Sequence, residues 1–268
     1  MTPLNIRKIG KWEKDRWMRK HFHLAQAMPE TDEWSEGSFQ TFLSRYGKVI
    51  IKPVNGSWGS GILVVTRRSA DRYAVQMATK RIILNESDVY RYISSVIKNR
   101  PYLIQNFISL ASIGGRPIDV RVMTQLDEAN KWIITGRLVK VARPGFIISN
   151  PEEKVLPLSS LFKHVVSPEN SKTIIARMDE LAILASEHLQ QAYPQISIVG
   201  FDIALDTDGK LWIIEANFAP MVSLFRYLPD HSSYHTIRKY KKIKRGKSPR
   251  PQSGTPNQFP DDDYYYYS

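Results

Sequence analysis

Apolar positions along this chain follow two rhythms, one helical and one alternating, and they change over at punctuating Gly and Pro residues. Trp12, Arg16, Arg19, Phe22 and His23 fall at mixed helical spacing and predict a helix over residues 11–27. Residues 28–35 (MPETDEWS) carry Pro29 and predict a loop. Residues 38–46 (SFQTFLSRY) predict a short helix capped by Ser38 and stopped by Gly47. Val49, Ile50 and Ile51 then form a β-type run ending at Lys52-Pro53. A glycine-rich loop from Asn55 to Gly61 joins it to a second strand, Ile62 to Thr66, as a hairpin.

The same reading continues downstream. Tyr73 to Leu84 predicts one or two strands, and Ser87 caps a helix to about Lys98 with Ile93, Val96 and Ile97 inward. Tyr102 to Ile108 predicts a strand. Val120 to Gln125 and Trp132 to Val141 predict a hairpin across Asp127–Lys131. Pro168 to Tyr193 predicts the longest helix, with Ile175, Met178, Ala182, Ala185 and Leu189 as its apolar stripe and Pro194 as its stop. Ser197 to Leu205 and Lys210 to Glu215 predict a strand pair around Asp206-Thr207-Asp208-Gly209, because Asp-Gly favours a hairpin turn. The order of elements predicts an α+β fold with mostly antiparallel sheets. From about Arg238 onward aliphatic residues give way to Pro, Ser and Lys, so residues 236–268 are expected to form a basic, low-complexity, disordered tail.

Composition narrows the class. The chain has 268 residues, 42% apolar and 24% charged, which suits a soluble globular protein. No apolar run approaches the ~18–20 residues of a membrane-spanning helix. Met1 to Gly10 lacks the apolar core of a secretory signal, so a cytoplasmic location is expected. The chain has no cysteine, which excludes disulfides, thiolate chemistry and cysteine-containing zinc sites. The net charge is +12, and two segments, residues 1–20 and 236–268, hold +10 of it at +5 each. The intervening chain is nearly balanced, so the charge reads as solvated ends more readily than as a nucleic-acid groove.

Three constellations carry candidate chemistry. In Lys52-Pro53-Val54-Asn55-Gly56-Ser57-Trp58-Gly59-Ser60-Gly61 a strand ending in lysine meets a loop whose glycines let backbone N–H groups approach an anion. The lysine precedes the glycines, so this is not the P-loop pattern; an ordinary hairpin loop is the structural alternative. In Gly200-Phe201-Asp202 followed by Glu215-Ala216-Asn217, Glu215 and Asn217 share one side of a strand and Asp202 can converge with them. Two carboxylates and an amide oxygen suit a hard cation such as Mg²⁺; turn-flanking polar residues are the alternative. Arg121, Arg137, Lys140 and Arg143 supply cations for phosphate or carboxylate, or a salt bridge with Asp119. Trp58, Trp132 and Trp212 are read as packing rather than a substrate surface.

The ordered set resembles the ATP-grasp superfamily: Lys-Pro with a glycine loop, then Gln105-Asn106-Phe107-Ile108, Asp119-x-Arg121, Gly200-x-Asp202 and Glu215-x-Asn217. The thirteen-residue step from Asp202 to Glu215 is similar to the family's metal motif. The stretches KWEKDRWMRK, MPET, IKPVNGSWGSGI, GGRPIDVRVMTQ and LWIIEANFAP are similar to the YheC/YheD-type branch, associated with spore-forming bacteria. The resemblance covers about residues 8–228.

That resemblance implies an N-terminal helical segment (1–47), a small subdomain (48–110) and a large subdomain (111–235), with ATP held between two antiparallel sheets. It implies that Lys52 reaches the phosphates under a loop of Gly56, Ser57, Gly59, Ser60 and Gly61. Gln105 meets the adenine amino group, with Phe107 and Ile108 as the hinge. Arg121 contacts phosphate or acyl substrate, and with Lys140 forms the catalytic pair. Asp202, Glu215 and Asn217 hold Mg²⁺, and Lys11 is a second nucleotide lysine. The implied reaction is activation of a carboxylate by ATP and capture of the acyl phosphate by an amine. Only about fifty residues precede Lys52, so the N-terminal domain of relatives is expected to be short or missing. After Ser149-Asn150 the chain reads Pro151-Glu152-Glu153-Lys154 where relatives often continue Gly-Gly. Both departures touch the acceptor side and leave open a non-catalytic scaffold joined to spore-layer proteins through the tail. Nucleic acid is the least favoured partner, and the acidic-aromatic end DDDYYYYS finds no role.

Overall fold

A computed structural model describes residues 9–56, 59–148, 152–165 and 168–242. In chain order the elements are α1 (Lys11–Met18), α2 (Phe22–Gln26), β1 (Thr31–Glu33), α3 (Glu36–Tyr46), β2 (Lys48–Pro53), β3 (Leu63–Arg67), β4 (Arg72–Met77), β5 (Lys80–Asn85), α4 (Glu86–Ile97), β6 (Tyr102–Asn106), β7 (Ser112–Ile113), β8 (Arg116–Leu126), β9 (Trp132–Ala142), β10 (Glu152–Leu156), α5 (Ser159–His164), α6 (Pro168–Ala192), β11 (Ile198–Leu205), β12 (Leu211–Asn217), a 3-10 helix (Val222–Tyr227) and α7 (Ser232–Lys241). The strands form two antiparallel sheets, β1-β6-β2-β3-β4-β5 and β10-β9-β8-β11-β12, with β7 paired to β8. The α+β architecture expected from the sequence is the one observed.

Alternation explains how each sheet divides its labour. In β2, Val49 and Ile51 are fully buried against α3 and α4 with Val65, Val75, Ile93 and Ile104. Ile50 and Lys52, one residue out of phase, face the opposite side. In the large sheet Val120, Val122, Val139, Phe201 and Ile203 pack under α6 through Met178, Ala182, Ala185 and Leu189. These four stripe residues have no exposed surface, while Ile175 is only part-buried. The other face of that sheet carries Asp119, Arg121 and Met123 on β8, Leu138 and Lys140 on β9, and Gly200 and Asp202 on β11. One end of it is closed by a third cluster, in which Met123 and Leu138 meet Leu224, Phe225, Leu228 and Ile237.

Several local expectations are corrected. The predicted helix 11–27 is two helices broken at Arg19–His21, and the predicted loop 28–35 contains β1, which pairs with β6. The first segment is therefore stitched into the small sheet. Ser35, not Ser38, caps α3; Ser38 is the reciprocal member of the capping box, its side chain accepting from the Ser35 amide at 2.9 Å. Gly47 ends that helix in the left-handed region (φ +66°). Asn85, not Ser87, precedes α4. Neither β10 nor α5 was expected. Residues 236–241 are helical within α7, so a folded element occupies the start of the predicted tail; residues 243–268 lie outside the described residues.

Candidate functional site

A cleft runs between the two sheets and has two adjoining ends that share Lys11, Gly56 and Glu215. At the first end β2 contributes Ile50 and Lys52, and β6 contributes Leu103 and Gln105, again by alternation. Gly56, Gly59 and Ser60 come from the glycine loop, and Glu215 comes from β12. The third side is α1, whose Lys11, Asp15 and Met18 lie at i, i+4 and i+7 on one helix face. Burial pushes the Lys52 ammonium below its ordinary pKa; Asp15 and Glu215 oppose this, and Lys11 and Arg19 add to it. Lys11 Nζ donates to Glu215 Oε2 at 3.1 Å, closing the cleft from above. The enclosed cavity is about 120 Å³.

At the second end, a row of side chains crosses the large sheet. Glu215, Asp202 and Arg121 are register partners on β12, β11 and β8, and Lys140 sits opposite Asp119 on the next pair. Arg121 Nε donates to Asp202 Oδ1 at 2.6 Å and its terminal nitrogen to Oδ2 at 3.2 Å. Lys140 Nζ lies 2.9 Å from Asp202 Oδ2 and 3.0 Å from Asp119 Oδ1. Asp119, Lys140 and Asp202 are each 1% exposed and Arg121 is 7%, so two cations and two anions neutralise one another out of water. Burial by itself would raise the Asp202 carboxyl; Arg121 and Lys140 outweigh it and hold it well below the carboxylate range. Burial would lower Lys140, and Asp119 and Asp202 reverse that. The cavity here, about 270 Å³, is also lined by Asn217, Glu152 and an apolar wall of Ala219, Pro220, Met221 and Leu224.

The fold therefore brings together Lys52, Gly56, Gly59, Ser60 and Gln105 at one end and Arg121, Lys140, Asp202 and Asn217 at the other, with Glu215 between them. Several other described candidates serve elsewhere in the fold. Gly61 serves geometry: its φ is +78°, and a Cβ there would lie 2.7 Å from the Tyr102 hydroxyl. Phe107 and Ile108 lie past the end of β6 and outside the cavity lining; the Phe107 amide already donates to Lys48 O at 3.1 Å. Gln105 reaches the cleft, but its side-chain amide donates to Thr31 Oγ1. Arg137 points the other way, its Nε donating to Asp179 of α6 at 2.7 Å, and Arg143 is exposed. Trp132 and Trp212 are packing residues, hydrogen-bonded to Gln190 and Asp206 at 2.8 and 2.7 Å. Ser57 and Trp58 lie outside the described residues. Sequence reading missed Asp15 and the buried Lys14. The i, i+4 spacing of Lys11 and Asp15 in KWEKD was the available signal.

The donor set has the chemistry for a hard cation. Glu215 and Asn217 offer oxygens from one face of β12, and the Glu215 side chain retains 19% exposure. Asp202 is the less available donor, since both of its oxygens already accept from cations. Among the described residues no group of three or more His, Cys, Asp or Glu is placed to hold a metal, so the amide of Asn217 is required to complete such a site.

The family model described as YheC/D like ATP-grasp matches residues 1–242. The chain belongs to this family. Among curated proteins, this YheC/D-like ATP-grasp chain is 26% identical over 238 residues to the endospore coat-associated protein YheD of Bacillus subtilis (strain 168), covering 85% of this chain and 51% of that protein. It is 23% identical over 238 residues to the endospore coat-associated protein YheC of the same strain, covering 83% of this chain and 64% of that protein. The chain thus spans between half and two thirds of these relatives. Among solved structures, the ADP complex of purK, an N5-carboxyaminoimidazole ribonucleotide synthetase, aligns with TM-score 0.54 and 10% identity over 87% of this chain and 51% of that one. That similarity establishes the ATP-grasp fold. No described helix is long and apolar enough to cross a membrane.

Proposed function

We propose that this YheC/D-like ATP-grasp protein binds ATP with Mg²⁺ between its two sheets and activates a carboxylate as an acyl phosphate for capture by an amine, the chemistry of a ligase. The observation that carries the reading is the cleft itself. Lysine, glycine loop and Gln105 from one sheet face Glu215 and Asn217 from the other across a single closable space.

In this reading Lys52 and the backbone N–H groups of Gly56, Gly59 and Ser60 receive the phosphates, and Gln105 turns its amide from Thr31 toward the base. Glu215 and Asn217, with Asp202, would hold the metal, which would supply positive charge to offset that of the phosphates. Lys11 releases Glu215 and turns to a phosphate. Arg121, fixed by Asp202, presents the rest of its guanidinium to the acceptor cavity and orients the acyl substrate. No protein nucleophile is required; positioning and fixed cations carry the catalysis. A spore-coat setting is the corresponding proposal for location, resting on the names of YheC and YheD.

A second reading, a non-catalytic scaffold, is favoured by one observation: Arg121 and Lys140 are already neutralised within the fold. Calorimetric titration with a non-hydrolysable ATP analogue, with and without Mg²⁺, beside Lys52→Ala, separates the two. Mg-dependent binding lost in the variant supports the enzyme. Absence of binding in the wild type overturns the nucleotide site and leaves the scaffold.

A further inference from the structure

A second groove lies outside the cleft, between the 3-10 helix and α7. It measures about 460 Å³ and is lined by Val222, Ser223, Arg226, Tyr234, Arg238 and Lys241, with Lys242 at its end. Four cations line it and no acid does. None of the four takes part in an ion pair among the described residues, whereas Lys11, Arg121 and Lys140 in the cleft each do. Arg238 and Lys242 are one helical turn apart, a spacing at which like charges repel. Tyr234 lies between Arg226 and Arg238, with their guanidinium carbons 5.9 and 5.7 Å from its ring centre. The groove thus pairs a concentrated positive potential with arginines that already lie beside a phenol ring.

The sequence holds a matching ligand. After Asp230 the only carboxylate side chains are those of Asp261, Asp262 and Asp263, and four tyrosines, Tyr264 to Tyr267, follow directly. We propose that the groove is the docking site for this acidic-aromatic segment of the same chain, with the aspartates on Arg226, Arg238 and Lys241 and the tyrosines beside Tyr234. Residues 243–260 join the two, starting at the groove's own Lys242. A connection of that length spans about 25 Å root-mean-square, enough to return, and holds its end at an effective concentration of order millimolar. A weak site is therefore sufficient. Docking has a route to the cleft. The 3-10 helix puts Leu224 on the acceptor cavity and Val222, Ser223 and Arg226 on the groove. It is pinned beneath by Gly136, where a Cβ would lie 2.8 Å from Phe225.

The absence of cysteine gives a direct test in the full chain. Cysteines introduced as His235→Cys, exposed on α7, and Ser268→Cys take a pair of spin labels. The distance between them is measured in doubly labelled protein diluted into excess unlabelled chain. The expected result at low salt is a narrow population well below the roughly 30 Å centre of the broad distribution that a free coil of 26 residues gives. It should disappear in Asp261→Asn/Asp262→Asn/Asp263→Asn, in Arg226→Glu/Arg238→Glu, and in high salt, which screens exposed charges. It should return when Arg226→Glu/Arg238→Glu is combined with Asp261→Lys/Asp262→Lys/Asp263→Lys, a rescue that a merely misfolded variant would not show. A distribution unchanged by the aspartate or the arginine substitutions overturns the proposal. So does a short distance that vanishes on dilution with unlabelled chain, which would belong to a second copy. Binding of a single-stranded oligonucleotide through Arg226 and Arg238, with the labels remaining far apart, would also overturn it and make the groove a nucleic-acid surface.

Discussion

The two ends of the cleft hold similar residues and treat their charges in opposite ways. At the end on the large sheet Arg121, Lys140, Asp119 and Asp202 form a closed set, shielded from water and neutral as a whole. At the end lined by Lys52 and the glycine loop, Lys52 is part-buried with its charge discouraged by burial, and Lys11 makes a partly exposed bridge to Glu215. The first arrangement is a finished piece of structure. The second is unfinished: its cations are placed where an incoming anion would improve their electrostatics. Charged residues in a cleft are thus not equivalent, and the quality of their existing partners separates scaffold from site.

The largest effect should come from breaking the finished end. Asp202→Ala leaves two buried cations short of a partner, and loss of one member of such a set costs about 3–5 kcal/mol. Glu215→Gln, at the open end, should cost under about 1 kcal/mol and abolish any Mg-dependent nucleotide turnover. Urea denaturation of the two variants side by side checks the contrast. If Asp202→Ala loses no more stability than Glu215→Gln, the quartet is not a structural unit and the comparison fails.

A steric probe of the same end follows. A Cβ on Gly200 would lie 2.5 Å from Pro220 Cβ, 3.2 Å from Met123 Sδ and 3.3 Å from the Arg121 side chain. Pro220 is rigid, so Gly200→Ala should destabilise by about 1–3 kcal/mol, the usual range for overpacking. The displaced wall would widen the acceptor cavity. Thermal unfolding reads the first effect; an unchanged melting temperature would show that Pro220 moves freely and does not shape the site.

How much of this could be read from the sequence depends on separation along the chain. Local alternation was sufficient to place Lys52 opposite Val49 and Ile51, and to put Glu215 and Asn217 on one face. Motif order was sufficient to identify the fold. The partner of Arg121 was not legible. A salt bridge with Asp119 was the alternative reading for the cation row, and Lys140 makes it; Arg121 pairs elsewhere, because side chains at i and i+2 on one strand stand side by side while a register partner across the ladder stands closer. Asp202, 81 positions away, occupies that place, and Asp119 serves Lys140 instead. The contact of Lys11 with Glu215 spans 204 positions and depends on how α1 docks between α6 and β12, which periodicity does not specify. β10 escaped notice because an edge strand with part-exposed residues reads as a polar loop.

Lys14 tests whether the open end tolerates strain. It is 6% exposed on α1, with its Nζ 4.9 Å from the Phe218 ring centre. Burial lowers its pKa to about 8 from 10.5, with Glu215 in partial opposition. A lysine whose folded pKa is depressed destabilises the folded state fully below that pKa. The penalty fades as pH rises from about 8 to 10.5, because only the unfolded chain still binds the proton there. Lys14→Met should therefore raise stability by about 2 kcal/mol at pH 7, with the advantage shrinking above pH 8. A gain that stays constant to pH 10.5 would mean that packing, not charge, sets the difference.

The smallest stability change, and the sharpest probe of the contrast, is Lys11→Ala. Its bridge to Glu215 is partly exposed on both sides, 35% and 19%, so its loss should move the unfolding free energy by less than about 1 kcal/mol. Its effect on ligands should be larger and should differ in sign between them. The ammonium of Lys11 occupies an oxygen of Glu215 that a divalent ion would need. Removing it should tighten binding of Mn²⁺ alone, followed by the spin-resonance signal of the free ion. It should weaken binding of a metal-free ATP analogue, which loses a cation for its phosphates. Opposite shifts would show that Lys11 is shared between bridging Glu215 and receiving a ligand. Parallel shifts would mean that it does neither, and that α1 is only a wall of the fold.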